Sequence, residues 1–329
     1  MEKDTIRRQR LYQFIIAFTL GIAIIYWIYR DFDFSEVWAL LTSGTKWSWM
    51  FISLIFGVLS HIIRGLRWQL ALLPLGVKPS KNNCVNAIFI SYFTNMLIPR
   101  IGELSRCGVL KKYSQIPFST SLGSVVAERF IDTLCILILT SFTVTLQLPL
   151  FKSFFYETGY RIPSLNSMAF LYLIVGGILL FTIIGFIVKR FSLLSKVKNV
   201  GHNMWLGFSA LREMKSKSWL YVLYTVLMWT CYYLHFYLTF YCFSFTSELG
   251  FTAGMVLFIV GSIAVIVPTP NGAGPWHFAI ITMLLLYGVD ETNARIFALI
   301  VHTIQSFLVI LLGIYGSLAL LISNKNQER

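Results

Sequence analysis

The chain has 329 residues, 57% of them hydrophobic and only 12% charged, with a mean hydropathy of +0.71. A soluble domain carries about a quarter charged residues, so this composition excludes an ordinary soluble fold and indicates an all-α, polytopic membrane protein. The net charge of +13 would point to nucleic acid in a soluble protein; here it asks which membrane face holds the Lys and Arg residues.

The first ten residues are basic (Lys3, Arg7, Arg8, Arg10), and an apolar run over 11–29 follows, closed by Arg30-Asp31-Phe32-Asp33. A signal peptide has a shorter apolar core and a small-residue cleavage site, so we read an uncleaved anchor. A membrane span needs about 20 apolar residues to cross about 30 Å of hydrocarbon. Six segments meet that length: 11–29, 47–73, 119–146, 168–188, 219–245 and 295–322. The runs 84–98, 251–267 and 276–288 are too short, and Pro268–Pro275 separates the last two. They suit two re-entrant or broken helical hairpins. The whole chain, 1–329, reads as a single transmembrane domain with a short polar tail at 323–329.

With six spans and two hairpins, both termini share one side, and that side receives most of the 27 Lys and Arg residues. The asymmetry puts the termini in the cytoplasm. The two short pieces that end at Pro99 and Pro268 would enter from opposite sides. Gly/Pro-interrupted segments in corresponding positions of two halves point to an inverted repeat around a central site.

Charges fall where they are expensive. The segment 119–146 contains Glu128, Arg129 and Asp132, with the two carboxylates as repelling i,i+4 neighbours. Segment 47–73 carries His61, Arg64 and Arg67 at three-residue spacing, and Arg100, Glu103 and Arg106 sit after the first short piece. These residues predict a polar cavity open to the cytoplasm. Arginine's planar fork suits phosphate, so the expected ligand is an anionic phospholipid or an isoprenoid phosphate headgroup. Two plainer readings stand beside this one. Arg64 and Arg67 snorkel to the headgroups, or Glu128 and Asp132 only lock helices together. In the Pro268–His277 turn, Asn271, Gly272, Gly274 and His277 either face an anionic group with freed amides or merely break the helix. His61 and His302 are expected to pack between helices, and tryptophans 27, 47, 49, 68, 205 and 219 to form an interfacial belt. The five scattered cysteines form no disulfide framework or zinc motif, and no metal or cofactor is expected.

Four motifs in order carry a resemblance: Arg64-Gly65-Leu66-Arg67-Trp68, Pro99-Arg100-Ile101-Gly102-Glu103-Leu104-Ser105-Arg106, Glu128-Arg129-Phe130-Ile131-Asp132 and the Pro268–Gly274 turn. The chain resembles, over roughly 11–322, the flippase-like family of the lysylphosphatidylglycerol synthase transmembrane region, the membrane part of the multiple peptide resistance factor. The resemblance implies a bacterial or archaeal multi-pass membrane protein, here expected in the bacterial plasma membrane, that translocates lipid between leaflets. It also implies polar-cavity roles for Arg100, Glu103, Arg106, Glu128, Arg129 and Asp132. Two positions depart from the family pattern: Asn271 replaces a glycine, and His277 stands where a glutamate is expected, which argues against a lysyl lipid as cargo. The tail at 323–329 takes the place of the factor's soluble lysyl transferase, so lysyl-lipid synthesis is not expected.

The leading expectation is therefore a non-enzymatic lipid translocase in which Arg64, Arg100, Arg106 and Arg129 bind phosphate. The first alternative is a membrane transferase acting on a lipid-linked substrate. Against it stands the lack of G-x-S-x-G, H-E-x-x-H or a nucleotide-binding glycine loop. The second alternative is a non-catalytic partner in a lipid-synthesis complex. Expected partners are membrane lipid and either a second copy or lipid-synthesis enzymes, with no nucleic acid.

Overall fold

In lipid every backbone amide must be satisfied within the chain, which favours helices wherever apolar residues dominate. The computed structural model describes residues 18–148 and 217–327, with Ile15 beside them, and among these the secondary structure is helical without strands. The helices are α1 (Phe18–Tyr29), α2 (Phe34–Ser43), α3 (Trp47–Leu72), α4 (Lys81–Leu97), α5 (Gly102–Ser114) and α6 (Phe118–Leu146). After the undescribed stretch come α7 (Ser218–Tyr237), α8 (Phe251–Ala264), α9 (Pro275–Leu286) and α10 (Glu291–Gln327). The predicted span at 168–188 lies outside the described residues, as do Trp205 and the basic N-terminus.

Two stretches, Trp47–Leu75 and Glu291–Ser323, are long and apolar enough to cross a membrane on length and composition alone. Helix α6 has 29 residues but carries the three charged residues noted above. The short apolar runs become α4, α8 and α9, each ending where the sequence breaks the helix. Pro268 and Pro270 cannot continue α8, and Pro275 opens α9, where its missing amide donor costs nothing. Helices α2 and α5 were not expected. Asp33 caps α2 by accepting from the Ser35 amide at 2.8 Å, and α5 forms the return leg of the first hairpin.

Side-chain pairings fix how the helices run. His235 of α7 bonds Ser53 of α3 at 2.8 Å, while Thr225 accepts from Arg67 at 3.3 Å, so α3 and α7 are antiparallel. Trp68 donates to Ser124 at 2.9 Å and Arg64 to Asp132 at 2.9 Å, making α6 antiparallel to α3 as well. Gly313 of α10 lies against Phe93 of α4, and Gly316 against Phe89 and Asn86, so these two also run in opposite senses. Glycine at both sites lets the backbones approach, since an added Cβ would press into the phenylalanine.

The contacts form a repeating scheme. Helices α3–α6 and α7–α10 each comprise a helix, a short hairpin and a long helix, and the first helices of the two sets pack on each other. The long helix of each set packs on its own hairpin and on the leading hairpin helix of the other: α6 on α5 and α8, α10 on α9 and α4. Because α3 and α7 are antiparallel, the two sets run in opposite directions. Their cores are separate. One gathers Trp68, Leu72, Ile88, Cys107, Leu110 and Val125 from α3–α6. The other joins Phe236, Phe240, Leu257, Ile280, Phe297 and Val301 of the second set to Ile28 and Tyr29 of α1 and to Met50 at the start of α3.

Candidate functional site: a buried ion cluster between two hairpin turns

The interior of the first set is ionic. Helix α3 presents Arg64 and Arg67 one turn apart, α6 presents Glu128 and Asp132 one turn apart, and α5 brings Arg106 up from below. Arg64 Nη2 lies 2.9 Å from Glu128 Oε1 and 2.9 Å from Asp132 Oδ2. Arg67 Nη2 lies 3.0 Å from Glu128 Oε1 and 2.6 Å from Asp132 Oδ1. Each guanidinium thus bridges the two carboxylates, which resolves their mutual repulsion. Arg106 donates to Glu128 Oε2 at 2.8 Å and to Glu103 Oε2 at 2.7 Å.

Burial sorts these residues into two groups. Arg64, Arg67, Arg106, Glu128 and Asp132 are all buried, none of their side chains more than 8% exposed. Arg64 and Arg67 therefore do not snorkel outward. Arg129 differs: its side chain is 44% exposed, and its contacts are longer, 3.3 Å to Glu103 and 3.4 Å to Asp132. Glu103 is half-buried, and Arg100 is exposed.

Several neighbours were not foreseen. Arg64 Nη1 also donates to the hydroxyls of Tyr92 and Tyr232 at 3.0 and 3.2 Å, and those two hydroxyls lie 2.8 Å apart. Trp68 is completely buried beneath Arg106, whose guanidinium carbon sits 4.7 Å from the ring centroid. That geometry is a cation–π contact, so Trp68 has no place in an interfacial belt, whereas Trp27, Trp47, Trp49 and Trp219 are exposed. The sequence held a signal for α7's share: Tyr221, Thr225 and Tyr232 recur at helical spacing, one polar stripe in an apolar run.

The two hairpin turns approach each other. Arg100, in the first turn, donates from Nη2 to the carbonyl of Ile266, two residues beyond the end of α8, at 2.7 Å. Both turns use a left-handed residue directly after a proline: Arg100 with φ 64° and Asn271 with φ 50°. Asparagine tolerates that conformation; arginine adopts it less readily.

The second turn is tied down internally. The amides of Gly272 and Ala273 donate to the carbonyls of Thr269 and Pro270 at 3.2 and 2.9 Å, and that of Gly274 donates to His277 Nδ1 at 3.3 Å. Asn271 Nδ2 donates to Ser306 Oγ at 2.7 Å, and its carbonyl accepts from His302 Nε2 at 3.1 Å. His277 is buried with its ring 4.5 Å from that of His302. Seven residues after its turn proline, each set thus sends a side chain to its long helix: Arg106 to Glu128, and His277 to His302. The structure brings Arg64, Arg67, Glu103, Arg106, Glu128, Arg129 and Asp132 into one cluster. Arg100 stands at the meeting point of the turns, and Asn271, Gly272, Gly274 and His277 form a separate, uncharged group. Among the described residues no His, Cys, Asp and Glu group is arranged to hold a metal.

The lysylphosphatidylglycerol synthase TM region matches this chain over residues 14–313. The chain is 25% identical over 177 residues to the UPF0104 membrane protein MJ1595 of Methanocaldococcus jannaschii, covering 53% of this chain and 47% of that protein. It is 35% identical over 80 residues to the Glycosyltransferase AglD of Haloferax volcanii, covering 24% of this chain and 13% of that protein. The chain therefore spans less than half the length of either relative. No solved structure matches it.

Proposed function

This chain belongs to the lysylphosphatidylglycerol synthase transmembrane-region family of membrane proteins, and from that premise we propose that it moves an anionic lipid between the leaflets of its membrane. The observation that carries the reading is the contrast within the ion cluster. Its buried members are ion-paired with one another, while Arg129 and Arg100 remain exposed, with the apolar, exposed Leu97, Ile98, Leu104, Val265 and Ile266 at the two turns. A charged headgroup seated there keeps its acyl chains in lipid.

In this account Arg64, Arg67, Arg106, Glu128 and Asp132 hold α3, α5 and α6 in register and position Arg129. Arg129 and Arg100 contact the phosphate, with Glu103 setting the orientation of Arg129. Asn271, Gly272, Gly274 and His277 shape the opposite wall of the path. The opposed helix sets are the two halves of an inverted repeat, both termini are cytoplasmic, and rocking of one half against the other alternates access. The setting is a multi-pass protein of the plasma membrane, with membrane lipid as its partner. The test is lipid movement in vesicles reconstituted with the purified protein, read by bleaching of a fluorescent phospholipid. The expected result is faster leaflet exchange than in protein-free vesicles; equal rates overturn the proposal.

The similarity to a protein named as a glycosyltransferase favours one second reading, a transferase acting on a lipid-linked substrate. Paired carboxylates beside arginines can serve as base and phosphate clamp. Consumption of a nucleotide sugar by the purified protein, given a lipid phosphate acceptor, would establish it.

A further inference from the structure

The charges of the site do not cancel. Arg64, Arg67 and Arg106 are matched by Glu103, Glu128 and Asp132, through contacts of 2.6–3.0 Å. Arg129 is left over, sharing carboxylates already taken, at 3.3 Å and beyond. Arg100 is a second surplus cation: it holds only the neutral Ile266 carbonyl, and among the described residues no carboxylate pairs with it. The two are linked through α5, since Arg100 stands three residues before Glu103, the carboxylate that Arg129 reaches. Uncompensated charge amid apolar surface is costly, so the site is complete when an occupant brings two negative charges.

We propose that this occupant is a lipid phosphate monoester, a dianion at neutral pH, in preference to a phosphodiester, which carries one charge. The proposal rests on the translocase reading and narrows its substrate class. The guanidinium N–H groups that Arg129 and Arg100 do not already use on Glu103, Asp132 and the Ile266 carbonyl can donate charge-assisted hydrogen bonds to the three free oxygens of a monoester. The exposed Leu97, Ile98, Leu104 and Ile266 around Arg100 argue for a ligand with a tail over a free phosphate.

Phosphate monoesters lose their second proton at about pH 6, which supplies the test. Purified full-length protein in neutral detergent is offered phosphatidic acid or phosphatidylglycerol at pH 7.5 and at pH 5, and retained lipid is measured by mass spectrometry. The expected result is a preference of about tenfold for phosphatidic acid at pH 7.5, the effect of one extra charge-assisted bond, falling towards parity at pH 5. The titratable groups facing Arg129 are Glu103, Glu128 and Asp132, and His61 of α3 lies against Tyr92, a hydrogen-bond partner of Arg64; the phosphatidylglycerol arm, run at both pH values, reports any change in them. Arg129→Gln, and Arg100→Asn, which keeps a residue at ease in the left-handed turn, should each abolish the preference. Equal retention at pH 7.5, or a preference unchanged at pH 5, overturns the proposal. Displacement of phosphatidic acid by equimolar glycerol phosphate would also overturn it, by making the ligand a soluble ester. Phosphatidylglycerol movement without monoester preference would sink this inference and leave the translocase reading standing. A monoester preference without lipid movement would do the reverse.

Discussion

At the scale of single residues, burial separates the ion-paired core of the cluster from Arg129 and Arg100, the positions proposed to meet a ligand. Glu128 accepts from three guanidiniums. Removing one member of a buried ion network costs about 3–5 kcal/mol, because the partners keep their charges without compensation. Glu128→Ala should therefore lower the thermal midpoint sharply or prevent accumulation of folded protein. Arg129→Ala removes a half-exposed pair, worth under about 1 kcal/mol, and should leave the midpoint nearly unchanged; size-exclusion and thermal scans of both variants in one detergent check the contrast. The sequence made the charged members of this cluster legible, because an ionisable residue in an apolar run stands out. It left the neutral ones hidden. Tyr92 and Tyr232 bond Arg64 from helices that only the tertiary fold brings together; the polar stripe of α7 marks Tyr232, but nothing local marks Tyr92.

At the scale of elements, spans and hairpins follow from apolar run length and from proline, and α3, α4, α6, α8, α9 and α10 appear where those signals place them. Helices α2 and α5 escaped for different reasons. The signature of α2, Asp33 followed by Glu36 in the first turn, is a capping pattern on a helix too short to stand out as an apolar run. The inward stripe of α5 is Gly102, Arg106, Cys107 and Leu110; a buried arginine in that stripe erases the hydrophobic period by which a helix is recognised.

Two predictions belong to this scale. The turn into α5 needs Gly102, because a Cβ there would collide with the backbone carbonyl of Ser91 and the side chain of Asn95. Asn95 also accepts from the Gly102 amide at 2.7 Å. Gly102→Ala should cost about 1–3 kcal/mol, read as a lower thermal midpoint. At the start of α10, Asp290 accepts from the Asn293 amide at 3.0 Å, and that bond holds its carboxyl below the ordinary range. The cap is worth about 1 kcal/mol. Since the folded value is the lower one, this contribution is complete above the unfolded carboxylate range and is lost as pH falls through the depressed one. Asp290→Asn should thus behave the same as wild type in acid-dependent scans except for losing that pH-linked increment.

At the scale of the whole molecule, two helix sets of opposite direction meet where Arg100 touches Ile266. The order of short and long apolar segments hinted at that arrangement. The antiparallel pairing of α3 with α7 and the cross-packing of each long helix on the other set's hairpin arise from contacts too distant in sequence to read. The two sets also differ in chemistry at these positions, with Arg106 and Glu128 in one and His277 and His302 in the other. The proposed topology predicts that a cysteine at Lys78 reacts with an impermeant maleimide only in opened cells, and one at Asp31 in intact cells. The native cysteines among the described residues are buried or half-buried and contribute little background.

In the proposed function the buried arginines hold the site while Arg129 binds the lipid. The most direct test measures thermal stability and leaflet exchange side by side for wild type and Arg129→Ala, in vesicles of one composition. The expected variant is as stable as wild type and no longer accelerates lipid exchange. A stable variant exchanging lipid at the wild-type rate would contradict it and leave the cluster a purely structural device.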